Sequence, residues 1–296
     1  MVPRGSDEDY LEKILEISMN ENIQYILPGS DIEVLVLTKN IDIFKNKNIN
    51  LIVPNVDVLN KIKNKAVTYD TLKSSGVNVP EYTLIYDLTS LLSAINKYEY
   101  PTKTVIVKPT DGRGGRGLFV LQGEEFRPDW LGSGIRETII PNSEQIEKWA
   151  AKIMSSGSEL MVMPPLNIPA YDVDVLKIRK SDYAIVVRKR INPAGIPFEG
   201  NIIVSDEKIL NYCKEVAKAL DLESLHDIDL MTDGNGDPVV LEVNPRPSGS
   251  MVASMIAGYP FIDWAISNKL NLEVKYCFPK YDLYVDKYLN IITNNE

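Results

Sequence analysis

Two segments of this 296-residue chain carry residue types whose spacing could do chemistry. The first runs Val107-Lys108-Pro109-Thr110-Asp111-Gly112-Arg113-Gly114-Gly115-Arg116-Gly117. Glycines let backbone N–H groups approach phosphate oxygens without interference from a Cβ, and a lysine on the strand before them adds a point charge. The segment reads as a phosphate cradle, with a flexible Gly-Arg hairpin as the bland alternative. Gly112, Gly114 and Gly117 also satisfy G-x-G-x-x-G, but a dinucleotide fingerprint needs a helix after the loop, and Leu118 to Leu121 reads as strand. A kinase-type glycine loop does lie between strands, yet the chain has no HRD or DFG sequence and no Walker A sequence.

The second segment holds Asp229, Glu242 and Asn244. Asp233-Gly234-Asn235-Gly236 is a strong hairpin signal that folds Asp229 back toward Glu242, and strand alternation puts Glu242 and Asn244 on one face. Two carboxylates and an amide oxygen suit Mg²⁺, which takes hard oxygen donors and completes its shell with water and nucleotide phosphates. Facing acids with no cation between them would repel. The bland alternative is a polar edge hairpin with solvated acids. Asp227 shares a face with Asp229 and stays open as a spare ligand.

These residues need a scaffold. From Asp7 to Asn20, Leu11, Ile14, Leu15 and Ser18 fall at helical spacing; Ile23 to Leu27 reads as a strand, a helix follows through Ile43, and Leu51 to Val53 is a second strand. That αβαβ order is a parallel-sheet signature, here only part of a doubly wound domain. Asp57 to Ser75 reads as one helix and Leu88 to Lys97 as another. Alternation then gives way to hairpins: strands at Thr104 to Lys108 and Leu118 to Gln122, a helix at Ser143 to Ser155, and a strand at Glu159 to Met163. Consecutive strands at Tyr171 to Ile178 and Tyr183 to Arg190 precede a helix after Ser205, striped by Ile209, Tyr212, Cys213, Val216, Ala217 and Leu220. Arg188 and Arg190 lie on one strand face and could hold a substrate carboxylate or acyl phosphate, against the plain reading of a solvated basic strand end.

Composition narrows the classes. With 44% hydrophobic and 25% charged residues the chain is an ordinary globular protein. Its formal net charge of −9 argues against general nucleic-acid binding. Cys213 and Cys277 form no CxxC pair, which fits a reduced, cytoplasmic setting and excludes a disulfide framework. His226 is the only histidine, so no triad or multi-histidine metal site can be built, and it reads as structural. Trp130, Trp149 and Trp264 are scattered and read as packing. The most apolar stretch, Met251 to Ile266, is broken by Gly258, Pro260 and Asp263, so no membrane helix is expected. Residues 1–6 resemble a protease-site scar.

The order Lys65, Val107-Lys108-Pro109 with its glycine loop, Leu160 to Met163, then Leu241-Glu242-Val243-Asn244-Pro245-Arg246 resembles the ATP-grasp superfamily. Within it the sequence looks most like carboxylate-amine ligases and the large subunit of carbamoyl phosphate synthetase, from about Ile23 to Leu270. The resemblance implies an α/β ATP-grasp fold with an α+β lid. Its divisions are a partial pre-ATP-grasp domain over 7–100, the lid over 101–165, a metal and substrate subdomain over 166–280, and a tail over 281–296. It implies ATP and Mg²⁺, with Mn²⁺ as an alternative. Lys65 and Lys108 would neutralise ATP phosphates, Gly112, Gly114 and Gly115 would form the lid loop, and backbone groups at Met161 and Met163 would meet adenine. Asp229, Glu242 and Asn244 would bind the metal and Arg246 the transferring phosphate. The implied reaction activates a small-molecule carboxylate as an acyl phosphate and couples it to an amine. A carboxyphosphate- or carbamoyl-phosphate-forming half-enzyme and a silent ATP-binding regulatory module are the alternatives. No nucleic-acid or membrane partner is expected, and homo-oligomerisation stays open. The sequence departs from the pattern at Pro164 and Ala170, where such enzymes commonly carry glutamates near the nucleotide sugar or base. Asp172 or Asp174 could replace them, although both read more readily as outward-facing strand residues.

Overall fold

The computed structural model describes the chain except residues 1, 112–116, 126–136, 143–145, 156, 158, 179–181, 193–198, 276 and 287–296. Gly112, Gly114, Gly115 and Trp130 therefore lie outside the described residues.

The first unit comprises α1 (Tyr10–Asn20), β1 (Tyr25–Ile26), α2 (Asp31–Lys39), α3 (Ile41–Lys45) and β2 (Asn50–Leu51), with β1 and β2 paired in parallel. Helix α2 starts at a capping box: the Ser30 hydroxyl accepts from the Glu33 N–H, and the Glu33 carboxylate accepts from the Ser30 N–H at 2.9 Å. The helix expected over Asp57 to Ser75 is instead two, α4 (Val56–Ile62) and α5 (Lys65–Ser74). The break follows from Asn64, whose side-chain oxygen accepts from the N–H groups of Ala66 and Val67 at 2.9 and 3.2 Å. Its amide nitrogen donates to Thr110 Oγ1 at 2.9 Å, and the Lys65 N–H donates to the Thr110 carbonyl at 2.7 Å. The start of the glycine segment thus pins the break and sets Lys65 in the first turn of α5.

The second unit holds β3 (Thr83–Ile85), α6 (Leu88–Lys97), β4 (Val105–Pro109), β5 (Phe119–Leu121), β6 (Thr138–Ile140), α7 (Ile146–Met154) and β7 (Leu160–Met163). Its sheet runs β3-β7-β4-β5-β6, antiparallel except between β5 and β6. Leu91 and Ile95 of α6 and Ile153 of α7 share a core with Val105, Val107, Leu121 and Val162 of the strands.

The third unit adds β8 (Asn167–Lys177), β9 (Tyr183–Arg190), β10 (Asn201–Val204), α8 (Glu207–Leu220), β11 (Leu225–Thr232), β12 (Pro238–Asn244), α9 (Met251–Ile256), α10 (Phe261–Lys269) and β13 (Tyr284–Val285). These strands form an antiparallel sheet ordered β12-β11-β8-β9-β10-β13. The expected stripe of α8 is buried throughout, but Asp206 rather than Ser205 caps it, accepting from the Ile209 N–H at 3.1 Å. Cys213 is accordingly a core residue. One face of the sheet packs Val173, Val175 and Val187 against Cys213 and Val216 of α8. The other packs Leu176, Ala184 and Val186 against Phe261 and Trp264 of α10. With both faces covered, β8 is buried without interruption from Ala170 to Leu176 and β9 from Tyr183 to Arg188, as enclosed strands are. This corrects the outward-facing reading of Asp172 and Asp174, which are 1% and 0% exposed.

Candidate active site

Strands β11 and β12 pair as expected through the Asp233 turn, whose carboxylate accepts from the N–H groups of Asn235 and Asp237 at 2.9 and 3.0 Å. Asp229 sits opposite Glu242, and Asp227 opposite Asn244. The register then shifts, so that Leu230 faces Val240 and Leu241 is the extra residue of a β-bulge. The Leu241 carbonyl, freed from the ladder, accepts the Tyr69 hydroxyl at 2.7 Å. Tyr69 is fully buried on α5 and also takes the ammonium of Lys108 at 3.4 Å. One side chain therefore ties the helix of Lys65, the strand of Lys108 and the bulge before Glu242.

Cationic and anionic groups are matched closely around this hairpin. Lys65 Nζ lies 3.1 Å from Glu242. Arg190 bonds Asp172 and lies 2.9 Å from Asp229. Arg246 donates to Asp227 at 3.0 Å and has Nε 3.4 Å from Asp31 on α2. Arg188, expected at the substrate, lies on the same strand face as Arg190 but is enclosed by the acids of the neighbouring strands. Its guanidinium is fully buried among Asp174 at 3.1 Å, Asp172 at 3.7 Å and Asp227 at 3.8 Å, and it bonds Ser248 and Ser250.

Burial and crowding shift the titration of these groups. Desolvation, helped by Lys65, lowers the Lys108 ammonium to about 7. Burial and then Asp172 push Asp227 up to about 7, and burial followed by Asp227 drives Asp229 well above the usual carboxylate range. Burial opposes ionisation of Glu242, but Lys65 outweighs it and holds the carboxyl below its ordinary value. Asp172 is likewise held at about 2, its burial outweighed by Arg190 and Arg188.

The donor set fits a hard divalent cation. Asp172, Asp227 and Asp229 offer oxygens within 4.8 Å of one another, and Asp172 Oδ2 and Asp227 Oδ1 are buried without a hydrogen-bond partner. The Asn244 amide reaches Asp227 at 3.3 Å and Asp229 at 3.5 Å. Of the expected trio, Asp229 belongs to this cluster and Asn244 adjoins it, whereas Glu242 lies opposite Asp229 and is paired with Lys65; a divalent charge among the carboxylates would relieve the repulsion that raises Asp229.

Elsewhere, Lys108 pairs across the sheet with Met161, while Met161 and Met163 are buried along β7. Gly117, at φ +73°, packs so tightly that a Cβ would meet Pro109 Cγ at 3.0 Å. His226 is buried beside Ser224, and burial lowers its pKa to about 4 by disfavouring the charged form.

Sequence reasoning missed Tyr69 and Asp31 and gave Asp172 too little weight. The signal for Asp172 was present: Asp172-x-Asp174, Arg188-x-Arg190 and Asp227-x-Asp229 repeat the same two-residue spacing on three neighbouring strands. Tyr69 and Asp31 carry no local signal, because their partners are distant in sequence.

Residues 156–288 match the family described as ATP-grasp in the biosynthetic pathway with Ter operon. A carbamoyl phosphate synthase large chain of Campylobacter jejuni subsp. jejuni serotype O:2 is 22% identical over 279 residues, 87% of this chain and 24% of that one. The biotin carboxylase domain dimer of Hydrogenobacter thermophilus 2-oxoglutarate carboxylase, solved with MgADP, ADP and bicarbonate, superposes with a TM-score of 0.70 at 17% identity. The match covers 96% of this chain and 62% of that one. An L-amino acid ligase from Bacillus licheniformis gives a TM-score of 0.63 at 17% identity over 92% of this chain and 63% of that one. The chain therefore spans about a quarter of the synthase large chain and less than two thirds of these solved relatives. In the described residues no helix is long and apolar enough to cross a membrane. Sequence order, sheet topology and these likenesses agree on an ATP-grasp fold: residues 156–288 match an ATP-grasp family, and the chain is similar to carbamoyl phosphate synthase large chains.

Proposed function

We propose that the chain is a Mg-ATP-dependent ligase that activates a carboxylate and joins it to an amine. The observation that carries this reading is the convergence of Asp229, Glu242 and Asn244 on one hairpin with Lys65 and Lys108 from two other elements. In the first step a carboxylate oxygen attacks the γ-phosphorus, the bond to the β-phosphate oxygen breaks, and ADP leaves. In the second, the amine nitrogen attacks the acyl carbon, the bond to phosphate breaks, and the nitrogen loses its proton to water. Phosphoryl transfer depends on positioning and charge neutralisation, so the site needs no nucleophilic side chain. Lys65 and Lys108 take the phosphate charge, and Lys65 leaves Glu242 to do so. Arg246 steadies the charge that builds on the transferring group. Asp229, Glu242 and Asn244 would hold Mg²⁺, which when bound supplies further neutralisation of the phosphate oxygens.

A second reading, formation of carboxyphosphate from bicarbonate, is favoured by the likeness to carbamoyl phosphate synthase and by the bicarbonate in the biotin carboxylase structure. ADP release measured over a panel of carboxylates, amines and bicarbonate separates the two. Release that needs both an organic acid and an amine supports the ligase, and release with bicarbonate alone supports the second reading. Mg-ATP binding without ADP release under any condition contradicts both.

A further inference from the structure

Among the described residues Arg188 is the largest fully buried side chain, so it reaches neither nucleotide nor acid directly. Stability alone does not call for it. Ala184 and Val186, on the same strand face, share a core with Phe261 and Trp264. An apolar side chain at 188 would extend that packing, and a buried ion network contributes little over such a replacement. What an apolar residue could not supply is direction. The planar guanidinium presents its donors in a fixed fork. Nη1 donates to the Ser250 hydroxyl and Nη2 to the Ser248 hydroxyl at 2.6 Å, while Nε lies 3.1 Å from Asp174. Nη2 also lies 3.8 Å from Asp227.

These contacts lead to Arg246 by two routes. Ser248 and Ser250 belong to the turn that leaves β12 just after Arg246 and enters α9. The turn is closed on itself, because the Ser250 N–H donates to Ser248 Oγ and the Met251 N–H to the Ser248 carbonyl, both at 3.2 Å. Asp227 is the second route: it accepts from Arg246 Nη1 at 3.0 Å. Arg188 thus grips the backbone that carries Arg246 and faces the carboxylate that aims it. Unlike Arg188, Arg246 keeps 21% of its side-chain surface open.

Resting on the role that the ligase reading gives Arg246, we propose that Arg188 is a positioning residue that acts through Ser248, Ser250 and Asp227 to fix the Arg246 guanidinium. The double variant Ser248→Ala/Ser250→Ala removes two of its acceptors and leaves the buried charges balanced. Arg188→Lys keeps the charge but, as a point charge, loses the fork. Arginine Nε–Hε resonances of the full chain, with that of Arg246 assigned by its absence in Arg246→Lys, report on the guanidinium itself. In both variants the Arg246 resonance is expected to move to the position of a solvated arginine. In ADP release, kcat is expected to fall by at least about tenfold, while the Mg-ATP dissociation constant from calorimetry stays within about twofold. Placed on Arg246→Lys, the serine substitutions cost less than about twofold more, because their effect passes through Arg246. A merely structural role would lower the melting temperature, leave the Arg246 resonance in place and act equally on either background. An Arg246 resonance unmoved in both variants, an unchanged kcat, or a full additional loss on Arg246→Lys each overturns the proposal. If the wild type releases no ADP with any acid and amine, the ligase reading fails, and the Arg246 resonance alone decides whether Arg188 fixes that guanidinium.

Discussion

Tyr69 shows how much of the site hangs on one hydroxyl. It donates to the Leu241 carbonyl and accepts from Lys108, all within a fully buried ring environment. Tyr69→Phe leaves that carbonyl without its donor, which costs about 1–3 kcal/mol. We expect a lower urea midpoint together with weaker Mg-ATP binding, since Glu242 follows the bulge and Lys108 loses its anchor. A drop in stability with unchanged nucleotide affinity would separate Tyr69 from the site. His226 supplies a pH signature. Its folded pKa of about 4 lies below the ordinary 6.5 because burial excludes the charged form. The unfolded chain therefore binds a proton that the folded chain refuses, so this contribution is complete above about pH 6.5 and is lost as pH falls toward 4. The difference amounts to at most about 3 kcal/mol. Denaturation midpoints at pH 7 and pH 4.5 for wild type and His226→Gln check it: the wild type loses more stability on acidification than the variant does.

At the scale of elements, short-range signals were legible and long-range ones were not. The Asp233 turn, the α8 stripe and the strand that carries Lys108 follow from local spacing, and each is present. The division between α4 and α5 was unreadable because Asn64 gains its second partner from Thr110, 46 residues away in sequence. Strands β6 and β10 are three and four residues long, set by their neighbours rather than by any period of their own. The burial of Asp172, Asp174 and Arg188 was equally hidden, because alternation identifies two faces of a strand but not that both are covered. Asn64→Ala tests the split helix. Loss of the cap costs about 0.5–2 kcal/mol, and freeing the first turn of α5 loosens Lys65. The expected outcome is a lowered melting temperature with an increased Mg-ATP dissociation constant.

Across the whole molecule, one hydrophobic core joins the first and third units: Val34 and Leu51, with Leu59 and Tyr69 of α4 and α5, pack in the same cluster as Val216, Ile228 and Val243, and Ile106 and Met161 of the second unit also reach it. Polar ties cross the same seam, with Asn55 donating to Glu223 at 2.7 Å and the Tyr212 hydroxyl donating to the Asn78 carbonyl at 2.7 Å. These two units should therefore unfold together. Native-state hydrogen exchange checks this by comparing α5 with β12: common opening energies are expected, and independent ones would contradict a shared core. The same packing brings Asp31 of the first unit within 3.4 Å of Arg246.

The central claim is that the β11–β12 hairpin holds a metal-nucleotide complex through Glu242. Calorimetric titration of Mg-ATP into wild type and Glu242→Gln, each with and without excess chelator, tests it most directly. Metal-dependent binding by the wild type, weakened at least tenfold in the variant while the circular dichroism spectrum is unchanged, is the predicted result. Equal affinity in the two proteins, or wild-type binding indifferent to the chelator, would contradict it.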